Sequence, residues 1–354
     1  MWFNISAPLR LSTIWFSIID LTGVAQAADN RNNGRGQEEQ QGEPKELPVI
    51  LVAGLTPAWQ QIVLVDGLAV GAVNRVREAF WCASGKVLNA SRALHCLSAS
   101  FRAVTLVGGA GDAIRRDCEQ LGMRPRWIPT ASATRVCTTV LDASRSTATE
   151  LVPNAASIDA AEQDAFLSAY AEEAPAANVA LLIGSLPEGA PTDFYRQLIK
   201  RIPGKVILDA RAVELLECLP TRPFLVKPNR LEFALTLGRD LSRDADLFTA
   251  MRDLNRRGAE WVVVTHGGQA AHAACSGDVY RFELPEAEVV NPIGCGDCTA
   301  AGIAWATNGG QDPLDAIRFG LAAGVDKVSQ LLPGTIDRNR VERIAHTIRF
   351  TRIV

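Results

Sequence analysis

What this sequence lacks narrows its function before any motif is read. Lys and Arg number 36 against 39 Asp and Glu, a formal charge of -3, so there is no basic excess. A nucleic-acid binder needs such a footprint, and a protein held on a membrane surface needs a polybasic patch; neither partner is expected. Histidine is scarce, at 4 residues, and only one close cysteine pair exists, which argues against a zinc site. The eight cysteines (Cys82, Cys96, Cys118, Cys137, Cys218, Cys275, Cys295 and Cys298) are scattered among apolar neighbours. They read as free thiols of a reducing compartment, not as a disulfide framework. Beyond residue 50 no apolar run is long enough to cross a bilayer. What remains is a chain of 354 residues, 47% apolar, large enough to bury a sizeable core and suited to a small-molecule partner.

The first 46 residues stand apart as a non-globular extension. Residues 8–28 resemble a secretory signal, with Arg10, an apolar middle and Ala25-Gln26-Ala27 as a small-residue cleavage site, although Asp20 interrupts the apolar run. Residues 29–46 are polar and aperiodic and read as a linker. The folded domain is expected over 47–354. Apolar, β-branched runs at 48–55, 101–107, 178–184, 204–209, 223–226 and 260–265 read as strands. Helical stretches follow several of them, at 111–121, 191–201, 211–218 and 229–237. The alternation predicts a mostly parallel sheet with helices on both faces. Segments 61–82 and 134–152 break the pattern and predict a separate small sheet, a lid over the main domain. Its Ile62, Val63 and Val65 read as exposed.

Residues 289–306 (VVNPIGCGDCTAAGIAWA) place a glycine-rich turn before a small-residue helix. Gly294 and Gly296 let a ligand approach the main chain. The helix N-terminus offers unpaired N–H groups and a partial positive charge, which suit a phosphate or a phosphoryl-transfer transition state. Asp297 there can take the proton of an attacking hydroxyl. Locally the pattern is not decisive: Asp is also an ordinary helix cap, and Gly109-Ala110-Gly111-Asp112 offers the same arrangement after another strand. Cys295-Gly296-Asp297-Cys298 is also a Cys-x-x-Cys at a helix N-terminus, a position that can lower a thiol pKa and support redox chemistry.

Context separates the two turns. The segment around Asp297 resembles the second signature of the PfkB (ribokinase-like) carbohydrate kinases, a Gly-Ala-Gly-Asp turn. Ser84-Gly85-Lys86-Val87-Leu88-Asn89 is similar to the first signature of that family, Gly-Gly-Lys-Gly-x-Asn. Gly184-Ser185-Leu186-Pro187-Glu188-Gly189, Lys227-Pro228-Asn229-Arg230-Leu231-Glu232, Thr265-His266-Gly267-Gly268, Ala322-Ala323-Gly324 and Pro333-Gly334-Thr335 resemble further motifs in the family's order, over roughly residues 48–336. Thr134-Arg135, the Gly-Ser-Leu-Pro turn and Val73-Asn74-Arg75-Val76 resemble the 1-phosphofructokinase and tagatose-6-phosphate kinase branch.

The resemblance implies a ribokinase-like three-layer αβα domain with a β-sheet lid, a homodimer through that lid, and cytoplasmic transfer of the ATP γ-phosphoryl group to a sugar phosphate hydroxyl. It implies Asp297 as base beside the Gly294, Cys295 and Gly296 turn. Gln60, Gly85, Lys86, Asn89, Arg135 and Ser185 fall to the acceptor, with Lys86 and Arg135 gripping its phosphate. Lys227, Asn229, Glu232, Thr265, Gly267, Gly268 and Gly324 fall to the nucleotide, with Asn229 and Glu232 holding Mg²⁺ through water. The sequence also departs from the branch. Leu55-Thr56-Pro57-Ala58-Trp59-Gln60 stands where Leu-Asn-Pro-x-x-Asp is usual, so Gln60 replaces an acid that binds sugar hydroxyls. Ser84 and Val87 replace glycines. Two further readings stay open: a kinase of the same fold acting on a nucleoside or an unusual sugar, and a non-catalytic sugar- or nucleotide-binding relative.

Overall fold

The structure, a computed structural model, describes residues 49–109 and 111–353. The signal-like segment and linker expected over 1–46 lie outside the described residues. The main sheet takes its parallel strands from β1 (Val49–Gly54), β4 (Phe101–Gly108), β5 (Arg126–Thr130), β8 (Ala177–Ile183), β9 (Lys205–Asp209), β10 (Leu225–Val226) and β11 (Trp261–His266). Antiparallel β12 (Gln269–Cys275), β13 (Asp278–Glu283) and β14 (Arg349–Arg352) extend one edge. The order is β14-β13-β12-β11-β10-β9-β8-β1-β4-β5.

Helices α1 (Lys86–Cys96), α2 (Gly111–Gln120), α8 (Cys295–Asn308), α9 (Pro313–Val328) and α10 (Arg338–Thr347) pack on one face. Helices α3 (Ala160–Glu173), α4 (Phe194–Ile199), α5 (Ala212–Cys218), α6 (Arg230–Leu237) and α7 (Asp244–Arg257) pack on the other. Along β1, Ile50 and Val52 enter the first core while Leu51 and Ala53 enter the second. Because both faces of the strand are covered, its sequence is a continuous apolar run instead of an alternating one. The α/β fold expected from the sequence is therefore the observed one.

A second sheet pairs β2 (Ala58–Val65), β3 (Glu78–Ser84), β6 (Val136–Asp142) and β7 (Thr147–Leu151) in the order β3-β2-β6-β7. Ile62, Leu64 and Leu141 form its small core, with Phe80, Ala148, Leu331 and Leu332 packed against it. The exposure expected for Ile62, Val63 and Val65 is corrected here: all three are buried, Ile62 completely. Alternation shows that a strand has two faces but not what covers each. The apolar side chains that do reach solvent on this sheet are Trp81, Val136 and Leu151.

The lid joins the main domain at Gly85. Its backbone has φ 88°, and a Cβ there would sit 2.7 Å from the Thr56 carbonyl oxygen and 2.8 Å from Pro57 Cα. A side chain would meet both an unfavourable dihedral and rigid backbone, so the link from β3 into α1 requires glycine.

Candidate active site

The site lies at the C-terminal ends of the parallel strands, where open α/β sheets place their ligands. Asp209 ends β9, Lys227 follows β10, and Asn229 bridges to Thr265 at the end of β11. Helices α1 and α8 bring Lys86, Asn89 and Asp297 to the same place.

Asp209 is the centre of this group and was not singled out from the sequence. Its Oδ1 lies 2.9 Å from Lys86 Nζ and its Oδ2 2.8 Å from Lys227 Nζ. Asp209 and Lys227 are buried; the Lys86 side chain is 36% exposed. Burial alone would raise the Asp209 pKa, but the two ammonium groups outweigh it and hold the carboxyl below its ordinary value. Burial pulls Lys86 down, while Asp209, Glu232 and Asp297 together push it above the usual lysine value. The available sequence signal was an Asp closing a buried β-branched strand, the position from which α/β sheets present functional groups.

Asp297 stands in the first turn of α8, after Gly294 at φ 88°. It is 6% exposed. Asn89 Nδ2 donates to its Oδ2 at 2.8 Å, and Ser84 Oγ fixes the Asn89 amide by donating to Oδ1 at 2.9 Å. Burial pushes the Asp297 carboxyl up to about 6 and Asp209 adds to the rise, while Lys86, Asn89 and Lys227 oppose it. No side chain caps α8, whereas α3, α6, α9 and α10 each have a side-chain acceptor at the N-terminus. The alternative turn differs in burial: the Asp112 side chain is 83% exposed and faces Arg115.

The Cys-x-x-Cys thiols are not activated. Burial pushes Cys295 up to about 11 and Cys298 well above its ordinary value. Desolvation outweighs the helix N-terminus at both, which counts against a redox role.

Several proposed ligand residues are engaged within the protein. Asn229 and Glu232 form a reciprocal capping box on α6: Glu232 N donates to Asn229 Oδ1 at 2.8 Å, and Asn229 N to Glu232 Oε2 at 3.0 Å. Glu232 Oε1 lies 3.9 Å from Lys86 Nζ. Gly267 and Gly268 form an exposed turn between β11 and β12. Gly324 is buried where α9 crosses α8; a Cβ there would lie 2.3 Å from Thr299 Oγ1, so close packing accounts for this glycine. Gly296 stays close to Lys227, whose Nζ would be 3.5 Å from an added Cβ.

On the acceptor side, Thr56 draws the expected residues together. Its carbonyl accepts from Arg135 Nη2 at 3.2 Å, its Oγ1 donates to the Ser185 carbonyl at 3.4 Å, and Gly85 closes against it. Arg135 Nη1 also donates to the Pro153 carbonyl at 3.1 Å. The guanidinium, expected to grip a phosphate, thus also fastens the start of β6 to the lid hinge. Gln60 Nε2 donates to Thr139 Oγ1 at 2.9 Å and to the Gln61 carbonyl, which ties the amide into the lid. Glu150, paired with Thr139 in the β6–β7 register, lies within the field of Asp297. Glu150 is exposed near the end of β7; partial desolvation, then Asp297, raise its pKa, and Arg135 opposes them.

Comparison with known proteins agrees with this fold. The model of the pfkB family carbohydrate kinases matches residues 56–337. Phosphofructokinase-2 from Escherichia coli is similar in fold both in complex with potassium (TM-score 0.78, 21% identity, 84% of this chain and 98% of that one) and in complex with fructose-6-phosphate (TM-score 0.77, 22% identity, 84% and 98%). A possible 1-phosphofructokinase from Thermotoga maritima gives a TM-score of 0.79 at 20% identity, over 86% of this chain and 100% of that one.

The two buried carboxylates should respond oppositely to neutralisation. Asp209 is held below its ordinary pKa, so its charge favours folding at neutral pH and that contribution fades as pH falls. Asp297 is raised, so its ionised form opposes folding as pH rises through about 6. Asp209→Asn is expected to cost about 3–5 kcal/mol by leaving two lysines without their partner. Asp297→Asn is expected to melt at or above the wild-type temperature at pH 7. Thermal denaturation of both variants at pH 5 and pH 7 checks the signs; equal losses at pH 7 would contradict this electrostatic account.

Proposed function

The chain belongs to the pfkB family of carbohydrate kinases, and from that premise we propose that it transfers the γ-phosphoryl group of ATP to a hydroxyl of a ketohexose phosphate, with Asp297 as the base. Fructose 1-phosphate, fructose 6-phosphate and tagatose 6-phosphate are the leading acceptors. One observation carries the reading: a buried carboxylate with a raised pKa stands in the first turn of a helix that no side chain caps, beside a Lys86–Asp209–Lys227 cluster. Asn89 occupies Asp297 Oδ2, and Oδ1 is the oxygen assigned to the acceptor. Oδ1 takes the hydroxyl proton as the hydroxyl oxygen bonds to the γ-phosphorus and the bond from that phosphorus to the ADP oxygen breaks. The first-turn N–H groups of α8, with Lys86 and Lys227, stabilise the charge on the group in flight.

Among the described residues no group of three or more His, Cys, Asp or Glu is placed to cage a metal. Asn229 and Glu232, already paired as a cap, suit contact through water with a Mg²⁺ that keeps much of its hydration shell. Bound there, the ion would neutralise nucleotide phosphate charge. Thr265, Gly267 and Gly268 are assigned to the nucleotide side.

On the acceptor side, we assign hydroxyl recognition to Glu150, because the acid expected at position 60 is an amide tied to Thr139. Lys86 remains accessible enough to meet a phosphate while paired with Asp209. A second reading, in which the acceptor is a nucleoside or an unphosphorylated sugar, draws on the Arg135 guanidinium being bound to main-chain carbonyls. Among the described residues no helix is long and apolar enough to cross a membrane. The apolar Trp81, stacked on Trp59 at 5.9 Å, with Val136 and Leu151, supports a homodimer through the lid.

ATP consumption, screened against the three ketohexose phosphates, free sugars and nucleosides, should be greatest with a ketohexose phosphate. With that acceptor kcat should rise with pH through about 6 and then level, and Asp297→Asn should lower it about 100- to 10,000-fold; ATP binding without turnover on any acceptor would point to a binding protein instead. Glu150→Gln should raise KM for the acceptor about tenfold and leave KM for ATP unchanged, as expected for one lost charge-assisted hydrogen bond; equal changes in both would remove Glu150 from the acceptor site. In sedimentation, the wild type should run as a dimer and Trp81→Glu as a monomer; an unchanged mass would exclude this face as the interface.

A further inference from the structure

Lys327, near the end of α9, has 0% of its surface exposed. No carboxylate of the described residues lies within ion-pair distance of it. Its ammonium instead donates to two main-chain carbonyl oxygens, of Asn291 and of Gln330, each at 3.0 Å. A buried charge without a counter-charge is costly, and burial lowers the Lys327 pKa accordingly; an apolar side chain would fill the same space without that cost. The retained charge therefore calls for a use, and its position supplies one.

The two carbonyls belong to the segments that seat the Gly294–Asp297 turn. Val290 N and Asn291 N donate to the Val328 carbonyl, and Asn291 Nδ2 donates to the Leu331 carbonyl at 2.7 Å. Asn291 Oδ1 accepts from Ile293 N, one residue before Gly294. Gly294 in turn rests on Pro333 and Gly334. Lys327 thus joins the chain entering the turn to the chain on which it rests. Its charge also reaches the turn itself: it draws down the Cys295 and Cys298 thiols against burial and couples to Asp297.

Carbonyl oxygens converging on a buried monovalent cation are the ligand chemistry by which proteins replace the hydration shell of potassium. A protein of similar fold has been solved in complex with potassium. We propose that Lys327 is a monovalent cation built into the chain, a positioning residue that holds the Asn291 and Gln330 carbonyls and thereby the phosphoryl-transfer turn, so that turnover needs no added potassium. The inference rests on the kinase reading above for its catalytic consequence only; the cation site itself does not depend on the acceptor.

The experiment uses the full chain as wild type, Lys327→Ala and Lys327→Met. Each is assayed for ATP consumption with the acceptor found by the screen, and for thermal melting without substrate, in potassium, sodium and tetramethylammonium chlorides. Wild type should give the same kcat and melting temperature in all three salts. Lys327→Ala, which leaves an ammonium-sized space, should lose about 100-fold in kcat, the scale of one oxyanion-stabilising group, with KM for ATP little changed. Potassium, and not tetramethylammonium, should restore about tenfold of that loss and raise its melting temperature. Lys327→Met, which fills the space, should be as slow and should not respond to potassium. The proposal is overturned if wild type is activated by potassium, if Lys327→Met keeps wild-type kcat, or if potassium changes neither readout of Lys327→Ala. Should Lys327→Ala not fold, the kcat of Lys327→Met decides. Should no acceptor turn over, the kinase reading fails, and the melting of Lys327→Ala in the three salts still decides the cation site.

Discussion

Two ammonium groups share the Asp209 carboxylate, one on each oxygen, and most of the site's geometry follows from that arrangement. Lys86 begins α1, the helix that carries Asn89 to Asp297. Lys227 leads into the α6 cap and the nucleotide-side turn. One carboxylate at the end of β9 therefore ties the start of α1 and the segment entering α6 to the same strand edge. The arrangement also balances charge. Asp209 partly compensates the two lysines, which leaves Asp297 neither strongly acidic nor neutralised: desolvation and Asp209 raise it, and the lysines hold it near 6. A carboxylate in that range is mostly ionised at neutral pH yet more basic than an exposed one, which is what a general base requires.

The sequence carried the frame of this structure more clearly than its contacts. Buried parallel strands such as β1 and β8 are continuous apolar runs because helices cover both faces; that pattern survives in one dimension. The order of the motifs placed Asp297 although its local turn was indistinguishable from Gly109–Asp112. What separates the two is burial, 6% exposure against a side chain 83% exposed, and burial is a property of the assembled layers. Asp209 went unnoticed for a related reason. Its strand ends like any other, and the two lysines that give it meaning lie 123 and 18 residues away in sequence.

The lid shows how register decides function where composition does not. Its strands were visible as alternating segments, but alternation left open which face is covered, and Ile62, Val63 and Val65 proved buried. Register puts Glu150 opposite Thr139, the residue that holds Gln60. Gln60 on β2 and Glu150 on β7 thus flank the same residue of β6 though 90 residues apart. Reading position 60 alone suggests a weakened acceptor site. Reading the sheet adds Glu150, the acid to which the proposed function assigns the acceptor hydroxyl.

The Gly294–Asp297 turn shows why a buried cation can serve an anion. Two sources of positive potential meet there, the α8 N-terminus and Lys327. Either could have stabilised a resident thiolate, yet burial keeps Cys295 and Cys298 protonated. Asp297, the one resident acid in the first turn of α8, has its pKa raised and not lowered. Asp297 is ionised above about 6, and burial with Asp209 leaves that charge only partly compensated. Desolvation strengthens each electrostatic interaction at such a turn. A phosphoryl group brings its charge with it. A thiol would have to give up a proton first, and burial opposes that step. The same desolvation that silences the cysteines would strengthen the hold on a phosphate that the proposed function assigns to this turn.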